Sequence, residues 1–149
     1  MNYRVIADEA GLTTYALIFD EGDEAVAEIR RFSRETKVDG ASFTGIGAGS
    51  RAVVGWFDFG RKAYDPISID EQVELLSLLG DIATLPDGQA QVHAHVVLGR
   101  HDGSTRGGHL LEFHVRPTLE LIVTETPTHL RKRALPGLPV ATIRLDESG

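Results

Sequence analysis

The sequence predicts an α+β domain, a mainly antiparallel sheet with flanking helices. Strand-length apolar segments recur along most of the chain, turn residues punctuate them, and no βα unit repeats as a parallel sheet would require. Tyr3 to Ala7 is the first strand, and Thr14 to Phe19 is continuous enough in apolar residues to be a buried second one. Asp20 to Asp23 supply turn and N-cap residues, after which Glu24 to Glu35 reads as a helix with Ala25, Val26, Ile29 and Phe32 on one face. Gly40 closes that connection. Ala41 to Ile46 and Arg51 to Phe59 read as two strands joined by Gly47-Ala48-Gly49-Ser50. Gly45, Gly47 and Gly49 resemble a phosphate-binding loop only superficially, because such a loop opens a helix and here Val53, Val54, Trp56 and Phe57 continue as β. A tight strand connection or close backbone packing is the better reason for them.

Asp65-Pro66 marks a turn, and Ile67 to Ile69 a short strand. Glu71 to Gly80 shows both an alternation (Val73, Leu75, Ser77, Leu79) and a helical stripe, and periodicity alone does not separate them. A strand and then a turn fill the stretch to Gly88. Thr118 to Glu125 is a β-branched strand, Pro127 to Pro139 a loop with at most one helical turn, and Val140 to Leu145 the last strand. The expected core comprises Leu17, Ile18, Val26, Ile29, Phe32, Phe43, Val54, Leu75, Val96, Leu111, Phe113, Leu121 and Val123.

Between these lies Gln91 to Glu120, which carries most of the 6 histidines. His93 and His95 are two apart and project from one face of a strand, while Val92, Ala94, Val96 and Leu98 supply the apolar face. His101-Asp102-Gly103 suits a three-residue hairpin loop with glycine at the left-handed position. If Arg100 pairs with Ser104 across it, His95 stands opposite His109 and His93 opposite Leu111. Directly opposed Cβ atoms are about 5 Å apart and diagonal ones roughly 7 Å, so three imidazoles have the reach to share one ion at about 2.0–2.1 Å. Gly107-Gly108 is the place where a bulge would turn His109 to the other face. His93, His95 and His109 are therefore the candidate metal ligands. Polar residues on a solvated sheet face, or histidines packed in a subunit interface, are the other readings of the same pattern. His101 sits in the turn, His114 lies an odd number of residues from His109, and His129 is remote; none of them joins the candidate set.

The bulk numbers narrow the classes. A chain of 149 residues is one domain by length, here 1–149, and buries a core without staples. The absence of cysteine fits a reducing compartment. No apolar run reaches the ~18 residues of a membrane span, and MNYRVIADEA lacks a basic region followed by an apolar core, so a soluble cytoplasmic protein is expected. With 22 acidic against 15 basic residues and a net charge of −7, the molecule repels phosphate backbones unless a basic patch is segregated. Arg131-Lys132-Arg133, near Arg116 and His129, is the candidate patch, and such a short run is more often a solvated loop.

The helix before Gly40, FTGIGAGSRAVVGWFD, VELLSLLGDI and HAHVVLGRHDGSTRGGHLLEFHVRPTLELIV together resemble the PPC domain, the plants and prokaryotes conserved domain also found behind AT-hooks in plant nuclear proteins. The most specific part is the ordered set His93, His95, Gly99, Asp102-Gly103, Gly107-Gly108-His109 and Pro117-Thr118-Glu120. The resemblance implies an antiparallel α+β fold assembled as a homotrimer, a DNA-binding role taken from the plant members, and a divalent metal on His93, His95 and His109. The Arg-Gly-Arg-Pro hook that reads the A·T minor groove is missing, which weakens the case for direct DNA contact.

Three functions follow as expectations. One is a homotrimeric binding or regulatory module with a divalent metal, zinc first among the candidates, in a transcription-related setting. Another is a metal-dependent hydrolytic enzyme acting on a small molecule; Glu74, Glu112 and Glu120 are the carboxylates available as general base, Glu74 first among them and Glu112 a poor candidate because it faces away from His109, and each is more often a solvated or sheet-edge carboxylate. The third is a DNA-binding protein without a hook, recognisable by steeply salt-dependent affinity.

Overall fold

The computed structural model describes residues 1–126 and 132–143. Along them the chain forms β1 (Asn2–Glu9), β2 (Leu12–Phe19), α1 (Ala25–Thr36), β3 (Gly40–Asp58), β4 (Ala63–Ile69), β5 (Val73–Thr84), β6 (Ala90–Gly99), β7 (Thr105–Glu125), β8 (Lys132–Ala134) and β9 (Ala141–Ile143). Strands β8 and β9 pair with each other. The rest make one antiparallel sheet in the order β1-β2-β7-β6-β5-β3-β4, with β7 and β3 also paired. The pairings β3–β5, β5–β6, β6–β7 and β7–β3 thus close a ring, which leaves few unpaired edges. Inward residues of these strands and the stripe Ala25, Val26, Ile29 and Phe32 of α1 form one buried cluster.

The fold class is the expected one, but flanking helices in the plural overstate it: α1 is the one helix among the described residues. Its N-cap is Glu24, not a residue of Asp20 to Asp23. The Glu24 carboxylate accepts from Val26 N (3.1 Å) and Ala27 N (2.8 Å), and also from Phe113 N on β7 (3.1 Å), so the cap fastens the helix to the sheet.

The two strands expected on either side of Gly47 to Ser50 are one 19-residue strand, β3. The glycines serve close packing: a Cβ on Gly47 would stand 2.5 Å from Thr118 O of β7. Asp65-Pro66 lies inside β4 rather than in a turn. Proline is tolerated there because β4 is the edge of the sheet and needs no donor on its outer side. Glu71 to Gly80 resolves as strand from Val73 onward, within β5, and a register shift between Leu75 and Ser77 explains its mixed pattern. Val73 and Leu75 point inward before the shift, Leu78 and Ile82 after it, and this spacing imitates a helix. Lys132–Ala134 is a strand within the expected loop, and the expected last strand is described over Ala141–Ile143.

Eleven of the expected core residues are buried; Ile18 and Leu111 are not. Ile18 is 43% exposed because β2 alternates, Leu17 turning in and Ile18 out. With Ile46, Leu79 and Ile122 it belongs to the exposed apolar residues on the outer side of the sheet.

Candidate metal centre

The hairpin that carries the site is built as its turn residues dictate. Arg100 N donates to Ser104 O and Gly103 N to Arg100 O, both at 2.9 Å, with Gly103 at φ +79°. The register that follows sets His95 opposite His109 and carries Gly107 and Gly108 through in step with Val97 and Val96. The extra residue falls further on: Leu110 faces Val54 and Glu112 faces Val53, leaving Leu111 over. A bulge after His109, not before it, keeps that ring on the side of His95, and it also leaves Leu111 only half-buried.

One detail differs from expectation. His93 does not face Leu111; the β6–β7 ladder ends at His95 and His109, and His93 pairs with Asp81 of β5. The three rings still converge. Their centroids are 5.3 Å apart for His93 and His95, 5.2 Å for His93 and His109, and 5.5 Å for His95 and His109. One ligand nitrogen from each lies within 4.8 Å of the others, so the three can hold a metal ion.

The donor chemistry fits such an ion. His109 Nδ1 is buried and has no hydrogen-bond partner, an expensive arrangement that a cation would satisfy. Burial, with the charges of His93, His95 and Lys132 behind it, pushes the His109 imidazole down to about 4. Burial and His93 lower His95 as well. Both rings are thus neutral at pH 7, the form in which imidazole binds metal.

Each flank of the trio has its own support. Tyr64 of β4 stacks on His109 with centroids 4.5 Å apart and planes at 21°. Gly55 makes room for that stack: a Cβ there would lie 2.8 Å from Tyr64 Cδ1. On the other flank, Asp81 Oδ2 is 3.2 Å from His93 Nδ1, and Asp81 Oδ1 is 2.6 Å from Nζ of Lys132. Burial opposes the charge on Asp81, yet the His93 and Lys132 contacts outweigh it and hold the carboxyl below its usual range. Sequence reasoning missed Tyr64, Asp81 and Lys132. In the sequence Lys132 reads only as part of a basic run, but its side chain is 2% exposed, so it is not free to meet phosphate. Arg131 and His129 lie outside the described residues.

Residues left out of the candidate set stay out. His101 is exposed in the turn, and His114 lies 3.7 Å from Glu112. None of the carboxylates considered as a base stands at the trio. Glu74 pairs with Gly99 at the far end of β5 from Asp81, Glu112 lies 3.7 Å from Arg51, and Glu120 pairs with Ile18 and Ile46.

A ring-closed antiparallel domain, with one helix among the described residues and three histidines that could hold a metal ion, defines the class of protein: a small α+β domain with a candidate metal centre. The model of the Plants and Prokaryotes Conserved (PCC) domain matches residues 7–127, and the chain belongs to that family. A plant- and prokaryote-conserved (PPC) protein of Pyrococcus horikoshii is 31% identical, with 87% of this chain and 90% of that one covered at a TM-score of 0.80. A "putative DNA binding protein" of Bacteroides thetaiotaomicron is 26% identical, with 97% and 99% covered and a TM-score of 0.88. A metal-containing protein of Archaeoglobus fulgidus is 27% identical, with 96% of each chain covered and a TM-score of 0.81. No curated protein matches. Among the described residues, no helix is long and apolar enough to cross a membrane.

Proposed function

We propose that the protein is a homotrimeric binding or regulatory module that holds one divalent metal ion, zinc, on His93, His95 and His109. The observation that carries this reading is that one ring nitrogen from each of the three histidines lies within 4.8 Å of the others, beside a His109 whose Nδ1 is buried without a partner. When bound, a metal with three protein ligands supplies a Lewis-acidic centre with a position left for a further donor. The chain's own part is to keep His95 and His109 neutral by burial and to orient the outer rings through Tyr64 and Asp81. Elemental analysis of untagged protein prepared without added metal tests the reading. About one zinc per chain is expected, and a His109→Ala variant should lose at least ~100-fold in zinc affinity, since it removes one of three ligands from a bond set worth several kcal/mol. Wild-type protein that is metal-free and takes up no zinc in titration would overturn it.

The trimer is supported by the apolar residues that the sheet leaves outside, Ile18, Ile46, Leu79 and Ile122, which are 43–62% exposed. Leu79 is paired with His95, so this face runs up to the metal site and assembly would shelter one edge of it. Mass determination in solution decides the point, with Leu79→Asp expected to give monomers.

The setting we propose is cytoplasmic and transcription-related, on the strength of relatives each described as a "putative DNA-binding protein". With a net charge of −7 and Lys132 neutralised by Asp81, phosphate contact would fall to Arg30, Arg34 and Lys37, which line a hollow of about 690 Å³ beside α1. Duplex binding that weakens steeply with salt and is lost when these three are replaced by glutamine would support direct contact. No binding at low salt would leave assembly with other proteins as the route to such a role.

A further inference from the structure

A buried lysine is costly unless it is paired, and Lys132 spends its charge on a carboxylate that has another partner. Its side chain is 2% exposed and comes from β8, after the long β7, to reach Asp81 in the middle of β5. Oδ1 of Asp81 takes the ammonium at 2.6 Å and Oδ2 faces Nδ1 of His93 at 3.2 Å. Ordinary surface pairing would not bury both groups; Asp81 is only 21% exposed. Nor is Asp81 placed to act as a base, because both of its oxygens are engaged.

We propose that Asp81 and Lys132 are positioning residues for His93. The carboxylate accepts the Nδ1 proton and thereby fixes the tautomer and the ring plane, which leaves the Nε2 lone pair as the donor toward the site. The ammonium fixes the carboxylate. Carboxylate–histidine pairs of this kind orient metal-binding imidazoles, and losing the carboxylate commonly weakens the metal by ~10–100-fold. Through Lys132 the β8–β9 pair becomes part of the site although it contributes no ligand, which gives the chain after β7 a role in holding the ion.

The consequence for the metal rests on the function proposed above; the tautomer does not, and the two are read separately. In the metal-free, full-length protein, long-range proton–nitrogen correlation spectra report which nitrogen of His93 carries the proton. The wild type should show Nδ1–H with bare Nε2, and Asp81→Ala should shift His93 toward the Nε2–H form. Zinc titrated against a competing chelator should bind ~10–100-fold more weakly to Asp81→Ala, and about tenfold more weakly to Lys132→Met. Asp81→Asn keeps the side-chain shape without the charge and serves if the alanine variant does not fold; about a tenfold loss is expected of it too. An Nε2–H His93 in the wild type, or zinc affinities within about twofold of wild type for the Asp81 variants, would overturn the proposal; affinity within that range for Lys132→Met alone would remove Lys132 from it. If the wild type takes up no zinc, the metal reading fails, and the wild-type tautomer still decides whether Asp81 positions the ring.

Discussion

The two flanks of the histidine trio are held by different physics. His93 is fixed by charge, through Asp81 and the buried Lys132, whereas His109 is fixed by packing, under the Tyr64 ring that lies over Gly55. On the polar flank Asp81 Oδ1 and Lys132 Nζ have no hydrogen-bond partner of good geometry but form an ion pair at 2.6 Å, and Asp81 Oδ2 lies 3.2 Å from His93 Nδ1. The packed flank leaves His109 Nδ1 with nothing to bond. Such an asymmetry would suit a site that takes an ion: one ring is held by a charged partner, and another is buried with a nitrogen left to bond.

Breaking the polar flank should cost most. Lys132→Met removes the cation but keeps the bulk, leaving Asp81 in a pocket made for an ion pair. Loss of one partner from a buried pair destabilises by ~3–5 kcal/mol. Urea denaturation of metal-free protein should show this, and the combined Asp81→Asn, Lys132→Met variant should recover a large part, because neither charge then remains buried. Equal losses in the single and double variants would mean that the pair contributes through packing alone.

On the packed flank, Gly55→Ala is the sharper probe. The new Cβ would meet Tyr64 Cδ1 at 2.8 Å and Leu111 Cδ1 at 3.3 Å, so Tyr64 must move off His109. Overpacking of this kind costs ~1–3 kcal/mol. Tyr64→Leu in the Gly55→Ala background should relieve part of it. A Gly55→Ala variant as stable as the wild type would show that the stack is not held by the bare backbone beneath it.

The flanks differ just as much in how well the sequence shows them. The hairpin bearing His95 and His109 is legible because its causes are local: a turn with glycine at the left-handed position and a period of two on either side. Tyr64 could not be seen there, because Asp65-Pro66 carries the local mark of a turn while the structure uses it in an edge strand. Gly47 to Ser50 misleads for a related reason, since Gly47 answers to Thr118 and Leu119 and Gly49 to Phe113 and His114, far along the chain. Lys132 reads as one of a basic run until Asp81 is placed against it. The single alternation of β5 is broken by a bulge that no residue type announces. What the sequence conceals in each case is a partner distant along the chain.

The smallest effect separates the flanks by pH. His109 holds its imidazole at about 4 in the folded chain against 6.5 when unconstrained. As pH falls below 6.5 the unfolded chain takes up a proton there that the folded chain refuses, so stability drops down to about pH 4 and levels off below it. Asp81, lowered by its His93 and Lys132 contacts, acts in another window: its contribution is present above 3.8 and is lost as pH falls through its lower folded value. For a half-buried ring the His109 contribution, discounted for solvent screening, is about 1–2 kcal/mol. Other carboxylates titrate in the same range, but they do so in any variant, so the difference between wild type and His109→Gln isolates the ring. With a chelator present, wild type should lose more stability than His109→Gln between pH 6.5 and 4. If the two curves run parallel, burial does not hold the His109 ring neutral, and its readiness to bind a cation at neutral pH must come from elsewhere.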